Sequence, residues 1–331
     1  TRSFHVTGVQ TCALPISAIP KVAPPVRNWS GNQPSAVDKI SALHVQGGVH
    51  VLVGAGANIT VQVGDDAVTV VDTGFESASA QVLAAIRQIS NKPIRYVINT
   101  GADRDHTGGN SAISKAGESI SGNNTDGTAL LGAGAISAAS IFSTENAWKR
   151  MAEANSSDHT TIDAQPTEPF LGERYELFNG EPVQVYSQPG ANTDATGMVF
   201  FRRSDVISAG DAFSFDTYPL IDRKRGGSIQ GVLAALNRML DLAVPKDKQE
   251  GGTYIIPGHG RVCDEADVVE YRDMVTIIRD RIADAIKRGL NLEQVKAAQL
   301  TMDYDGRFGT TSGSWTTDMF VEAVYRDLGG K

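Results

Sequence analysis

The spacing of apolar and polar positions changes repeatedly along the chain, and each change marks an element. From about Ile40 the runs are short. HVLVG (50–54), NITVQVG (58–64) and DAVTVVD (66–72) are separated by Gly, Asn and Asp, which predicts a meander of strands. Residues 77–90 place Val82, Leu83, Ile86 and Ile89 at helical spacing. Pro93 to Asn99 is again a strand, running straight into the loop at 99–110. Residues 117–137 are rich in Gly, Ser and Asn and predict a long surface loop. A short strand near 138–142, a helix over about 144–153 and strands at 173–178, 182–187, 197–202 and 205–209 follow. A helix over 228–243 buries Ile229, Val232, Leu233, Leu236 and Leu240. Strand TYIIP (253–257) leads into Gly258-His259-Gly260. Beyond Cys263, the stripe Val268, Tyr271, Val275, Ile278, Ile282 and Ile286 predicts one long helix packed on a core, and shorter helices follow near 292–299 and 316–328. No repeat of 20–50 residues is visible. Strands, helix, strands, helix, strand and a helical tail suit two sheets packed face to face with helices outside.

Composition narrows the class. With 331 residues the chain holds one large domain and an extension, or two domains. Its 41% hydrophobic and 21% charged residues are ordinary for a globular protein. A net charge of −8 argues against a nucleic-acid surface, which needs a basic face. No apolar run approaches the ~18 residues of a membrane span. Two cysteines, Cys12 and Cys263, make neither a disulfide framework nor a CxxC metal site. Residues 6–16 (VTGVQTCALPI) resemble, codon for codon, the translation of a common sequencing-library adapter, so residues 1–17 are set apart from the fold, and Cys12 and His5 with them. Their deletion is expected to leave stability unchanged. Residues 18–39, rich in Pro, Ser and Asn, read as a linker or arm. The compartment stays open: periplasmic or secreted if a signal peptide was lost, cytoplasmic otherwise.

The loop after the strand at 93–99 carries the chemistry. Asn99-Thr100-Gly101-Ala102-Asp103-Arg104-Asp105-His106-Thr107-Gly108-Gly109-Asn110 resembles the metallo-β-lactamase superfamily signature, usually NTHxHxDHxGGN. Four further segments follow the family's order. Asp72-Thr73-Gly74 matches its early DTG, Ala191-Asn192-Thr193-Asp194 lies where it shows AHTDG, Ser208-Ala209-Gly210-Asp211 supplies the GD, and Pro257-Gly258-His259-Gly260 matches PGHG. Any one tetrapeptide is weak evidence; five in order, each at a strand end, are strong. The resemblance implies a four-layer αβ/βα sandwich (α/β, or α+β) over residues 40–262, with a C-terminal helical extension over 263–331.

It also implies a metal-dependent hydrolase, in which metal-activated water attacks an ester, lactam, thioester or phosphodiester of a small molecule. In the family one cation uses the first two histidines of HxHxDH and the AHTDG histidine. The other uses the Asp-His pair and the PGHG histidine, and the GD aspartate bridges them. Carried onto this chain, the second set survives as Asp105, His106, Asp211 and His259. The first set reads Gly101, Asp103 and Asn192, with no histidine. One Zn²⁺ is therefore expected, with Fe or Mn as alternatives that imidazole and carboxylate also suit. Asp105 or Asp103 would hold the attacking water, with activity weakened or lost. Two other readings remain: a degenerate, non-catalytic metal- or ligand-binding protein, and an oxygen-ligand iron protein with redox activity if Asp103 and Asn192 both ligate. The oligomeric state is open.

Each residue also has a plainer role. His106 and His259, taken singly, could be ordinary loop histidines, and Asp105 could serve only to pack under its own loop. Asp211 could be a turn residue or cap, Asp103 a solvated charge or an Arg104 partner, and Asn192 an amide bonded to its loop. His44, His50 and His159 suit surface or strand positions. Tyr218-Pro219 suits packing more than a pocket wall. Arg223-Lys224-Arg225 reads as a solvated loop, with an anionic substrate as the alternative. The surrounding frame implies that histidines at 101, 103 and 192 would restore a second metal.

Overall fold

The computed structural model describes residues 39–119, 138–249 and 251–330. Residues 1–38 and most of the loop expected at 117–137 lie outside the described residues.

Among the described residues, two sheets form the centre. The first has seven strands in sequence order: β1 (Ser41–Gln46), β2 (Val49–Val53), β3 (Ile59–Val63), β4 (Val68–Val71), β5 (Ile94–Ile98), β6 (Ser140–Thr144) and β7 (Glu168–Phe170). It is antiparallel from β1 to β4 and parallel from β4 to β7. The second has six: β8 (Glu173–Phe178), β9 (Glu181–Ser187), β10 (Gly197–Phe201), β11 (Val206–Ser214), β12 (Tyr254–His259) and β13 (Cys263–Asp264). Among the described residues its parallel pair is β11 with β12.

The two-residue period sorts side chains between layers. In β10, Val199 and Phe201 face the first sheet, where they meet Val49, Val51, Val71 and Ile98. Met198 and Phe200, between them in sequence, face the helices on the other side. Strands so placed are buried on both faces, which explains why β4 and β10 are unbroken apolar or buried runs. On the outer face of the first sheet lie α1 (Ser79–Ile89) and α3 (Asn110–Lys115), contributing Val82, Ile86 and Ile113. A four-residue helix, α2 (Arg104–Thr107), precedes α3, and α4 (Glu145–Ala152) follows β6. The second sheet is covered by α5 (Ile229–Leu242) and α6 (Glu265–Lys287), with α7 (Leu292–Ala297), α8 (Met302–Phe308) and α9 (Thr317–Asp327) packed on the same cluster. The result is the four-layer αβ/βα sandwich, and its C-terminal helices share one apolar core with β10, β11 and β12. No helix among the described residues is long and apolar enough to cross a membrane.

The structure departs from the sequence reading where side chains pair locally. Residues 263–264 form β13 rather than the first turn of a helix. Asp264 then caps α6 through a reciprocal capping box with Asp267, which fixes the start at Glu265. Strand β11 continues to Ser214 through register shifts against β12, one of them at Gly210, whose φ of 50° bends the strand. Tyr218 packs in the core: its ring stacks on Phe320 at 4.7 Å and its hydroxyl donates to Asp305 Oδ1 at 2.7 Å. His44 and His50 face each other across β1 and β2, with ring centroids 5.0 Å apart, and His159 is exposed.

Candidate metal centre

The site is built where strands of both sheets end. Asp72 follows β4 with φ 61°, a left-handed conformation that non-glycine residues hold only under constraint. The constraint is visible. Its carboxylate accepts from the Thr100 backbone N at 2.8 Å and from Thr100 Oγ1 at 2.6 Å, and it lies 2.8 Å from His106 Nδ1. The loop at 99–110 is clasped at its ends by paired amides, Asn99 Nδ2 to Asn110 Oδ1 at 3.0 Å and Asn110 Nδ2 to Asn99 Oδ1 at 2.8 Å. Thr73 Oγ1 donates to the His106 carbonyl at 3.1 Å from below. The motif's asparagines, threonines and glycines are thus the scaffold of a tight turn that presents Asp105 and His106.

The second sheet supplies the other half. Asp211 lies in β11 just after the bend, and His259 ends β12. Between them Gly258 has no room for a side chain, since a Cβ there would stand 2.3 Å from Asp211 Oδ1. Asn58 ties the two sheets at this point, its Nδ2 donating to the Pro257 carbonyl at 2.9 Å and to the Gly260 carbonyl at 3.0 Å.

Asp105, His106 and His259 each offer a ligand atom within 4.8 Å of the others. His259 Nε2 is 3.1 Å from Asp105 Oδ2 and 3.7 Å from Asp211 Oδ1, and His106 Nε2 is 3.3 Å from the same Asp211 oxygen. His106 Nε2 and Asp211 Oδ1 are buried and make no well-formed hydrogen bond among the described residues. Buried polar atoms rarely stay so. Imidazole nitrogens and carboxylate oxygens converging on one point are a donor set that fits a divalent cation.

The electrostatics agree with the geometry. Burial alone would raise the pKa values of Asp105 and Asp211, but His106 and His259 outweigh it and hold both below the usual carboxylate range. Burial alone would discharge His106, but Asp211, Asp72 and Asp105 raise its pKa well above the usual value. A proton on His106 thus supplies positive charge that a cation would replace, so metal binding should release a proton.

The other three positions offer a poorer donor set. At Gly101 a Cβ would meet no atom within 4 Å and the backbone is not left-handed, so the position is simply open. Asn192 is buried, and its Nδ2 donates to the Leu220 carbonyl at 3.3 Å. Asp103 is neither a solvated charge nor a partner of Arg104. Its Oδ1 lies 2.6 Å from Arg225 Nη1, with 28% of the side chain exposed. Burial, reinforced by Asp105 and Asp211 and opposed by Arg225, pushes its carboxyl up to about 6.

Sequence reasoning missed three residues. Asp72 was visible as the carboxylate of the DTG segment, but its bond to His106 spans 34 positions. Arg225 was read as part of a solvated basic loop. Arg223 and Lys224 are exposed, whereas Arg225 is drawn inward by Asp103, Asp158 and Asp222. Asp158, buried in a loop after α4, gave no periodic signal.

Comparison with known proteins agrees on the fold. Two structures of a sec-alkyl sulfatase, PisA1, are similar to this chain. A doubly substituted form gives a TM-score of 0.65 at 14% identity over 88% of this chain and 50% of that one. The stereoselective inverting enzyme from Pseudomonas sp. gives 0.61 at 16% identity over the same shares. This chain therefore spans about half the length of that protein. A metallo-beta-lactamase from Pontibacter korlensis gives 0.53 at 13% identity over 72% of this chain and 99% of that one. No curated protein sequence matches the chain. The family model of the metallo-beta-lactamase superfamily matches residues 52–259, the span that carries every strand from β3 to β12 and all the site residues above, and the chain belongs to that superfamily.

Proposed function

We propose that the protein is a hydrolase of a small molecule and works with a single cation, held by Asp105, His106 and His259 with Asp211 beside them. The convergence of their ligand atoms carries the reading. Zn²⁺ suits the set, and Fe or Mn would also fit it. When bound, such a cation brings the pKa of a water toward neutrality and polarises an ester, lactam, thioester or phosphodiester. The chain's own residues supply the rest. Asp72 engages His106 Nδ1 and so presents Nε2 to the site. Asp105, whose pKa His106 and His259 hold low, would be the carboxylate that holds the attacking water. Asp103 is the alternative for that role, but Arg225 already engages it.

Sulfate monoesters belong among the candidate substrates. The likeness to the sec-alkyl sulfatase covers 88% of this chain, a share that residues 1–259 alone cannot supply, so it reaches into the C-terminal helices. The redox reading loses support at Asp103, which it needs as a ligand and which Arg225 already engages.

The test is zinc-loaded protein assayed on chromogenic ester, lactam, thioester, phosphodiester and sulfate monoester substrates. We expect turnover of at least one, at a rate ~10²–10³ below that of a site with a second charge stabiliser. Chelation and His259→Ala should abolish it, and His259→Ala should remove most of the metal. One equivalent of zinc with no turnover across the panel would favour the non-catalytic binding protein. Full zinc occupancy in His259→Ala would remove His259 from the ligand set.

A further inference from the structure

We infer that Arg225 has taken over the first metal position: its guanidinium supplies the positive charge there and closes that position to a cation. Arg225 Nη1 lies 2.6 Å from Asp103 Oδ1 and 3.2 Å from Asp158 Oδ2, and its Nε lies 2.7 Å from Asp222 Oδ2. Three carboxylates around one fixed charge is the environment of a cation, here delivered on a side chain. Arg225 is only 21% exposed and Asp158 only 7%, so the pairs are largely removed from solvent screening.

The turn that carries Arg225 is built to reach this place. Its carbonyl accepts from the Asp194 N and from Arg150 Nη2, each at 2.9 Å. The Asp222 N donates to the Asn192 carbonyl at 3.0 Å. At Gly227 a Cβ would stand 2.1 Å from that same carbonyl, so only glycine lets the turn lie this close. The turn at 222–227 therefore packs on the loop of Asn192 and reaches across to Asp103, touching two of the three degenerate positions. At the third, Gly101, nothing projects. Histidines at 101, 103 and 192 would still face a guanidinium at this place. Repulsion between it and a divalent cation predicts that the three changes alone do not restore a second metal, contrary to the expectation from sequence.

Two measurements test this, and they fail separately from the hydrolase reading. The first uses the protein in excess chelator, with no metal at either position. Arg225→Ala removes the positive charge from among three carboxylates and should lower the melting midpoint by about 5 °C or more, while Arg225→Lys, which keeps the charge, should recover much of the loss. Equal midpoints for wild type and Arg225→Ala would overturn the proposal. If Arg225→Ala does not fold, Arg225→Lys against Arg225→Gln gives the same comparison, and equal stability of those two would overturn it. The second is zinc content after dialysis. The variant Gly101→His, Asp103→His, Asn192→His should hold no more zinc than wild type, and adding Arg225→Ala should raise it by one equivalent per chain. An added equivalent with Arg225 still present, or none after its removal, would overturn the proposal. Wild type without any zinc would sink the single-metal hydrolase and leave the midpoint comparison decisive for Arg225.

Discussion

Asp72 shows how one residue can serve both fold and chemistry. Its left-handed backbone costs of order 1–3 kcal/mol, and that cost is offset by the bonds from Thr100 and the contact with His106. Asparagine tolerates the same backbone and has nearly the same shape, but it lacks the charge. Asp72→Asn should therefore fold, yet bind zinc ~10–100-fold more weakly, as measured by competition with a chromogenic chelator. Unchanged affinity would mean that His106 is oriented by its loop alone. The residues of the proposed cation site were legible in the sequence because motif and strand end coincide: Asp105, His106, Asp211 and His259. Those that act on them through long-range pairs were not. Asp72 to His106 and Arg225 to Asp103 are ion pairs between distant segments, and no local period or spacing encodes such a pair.

Elements were legible in proportion to their length and regularity. Helices α1, α5 and α6 show clean apolar stripes, and the boundaries expected for them fall within a few residues of those observed. The three residues of β7 and the two of β13 carry too few positions for any period to show. Their pairing comes from neighbours already in place. Helix α9 makes a sharper point. It lies far from the motifs, yet Phe320 is fully buried and stacked on Tyr218 of the segment that leaves β11. Phe320→Ala should cost ~3–5 kcal/mol in urea unfolding, the usual range for an aromatic lost from a core. A loss below about 1 kcal/mol would show that the C-terminal helices contribute little to the stability of the second sheet.

At the scale of the molecule, the proposed ligand set draws on both sheets. Asp105 and His106 come from the short helix α2 after β5, Asp211 and His259 from β11 and β12. A cation held there would add a crosslink between two layers that already meet through apolar packing and through polar ties such as Asn58 to Pro257 and Gly260, Thr60 to Ser208 and Gln62 to Glu181. Zinc at 100 times its dissociation constant should stabilise the whole fold by ~2.7 kcal/mol, seen as a rise in melting midpoint that chelator reverses. His259→Ala should show almost none of that rise. A midpoint indifferent to zinc in wild type would mean that zinc does not bind the folded state in preference to the unfolded chain. Fold class was readable at this scale because the order of strands and helices permits few layered arrangements.

The distance along the chain between the two halves of the site has a kinetic meaning. His259 and Asp105 touch, yet 153 residues separate them, so their loop closes only when most of the sandwich has assembled. A zinc finger gathers its ligands from one short stretch and can capture metal as it folds. Here the unfolded chain offers no comparable chelate. Zinc uptake during refolding should therefore lag behind strand formation and keep time with the docking of the two sheets.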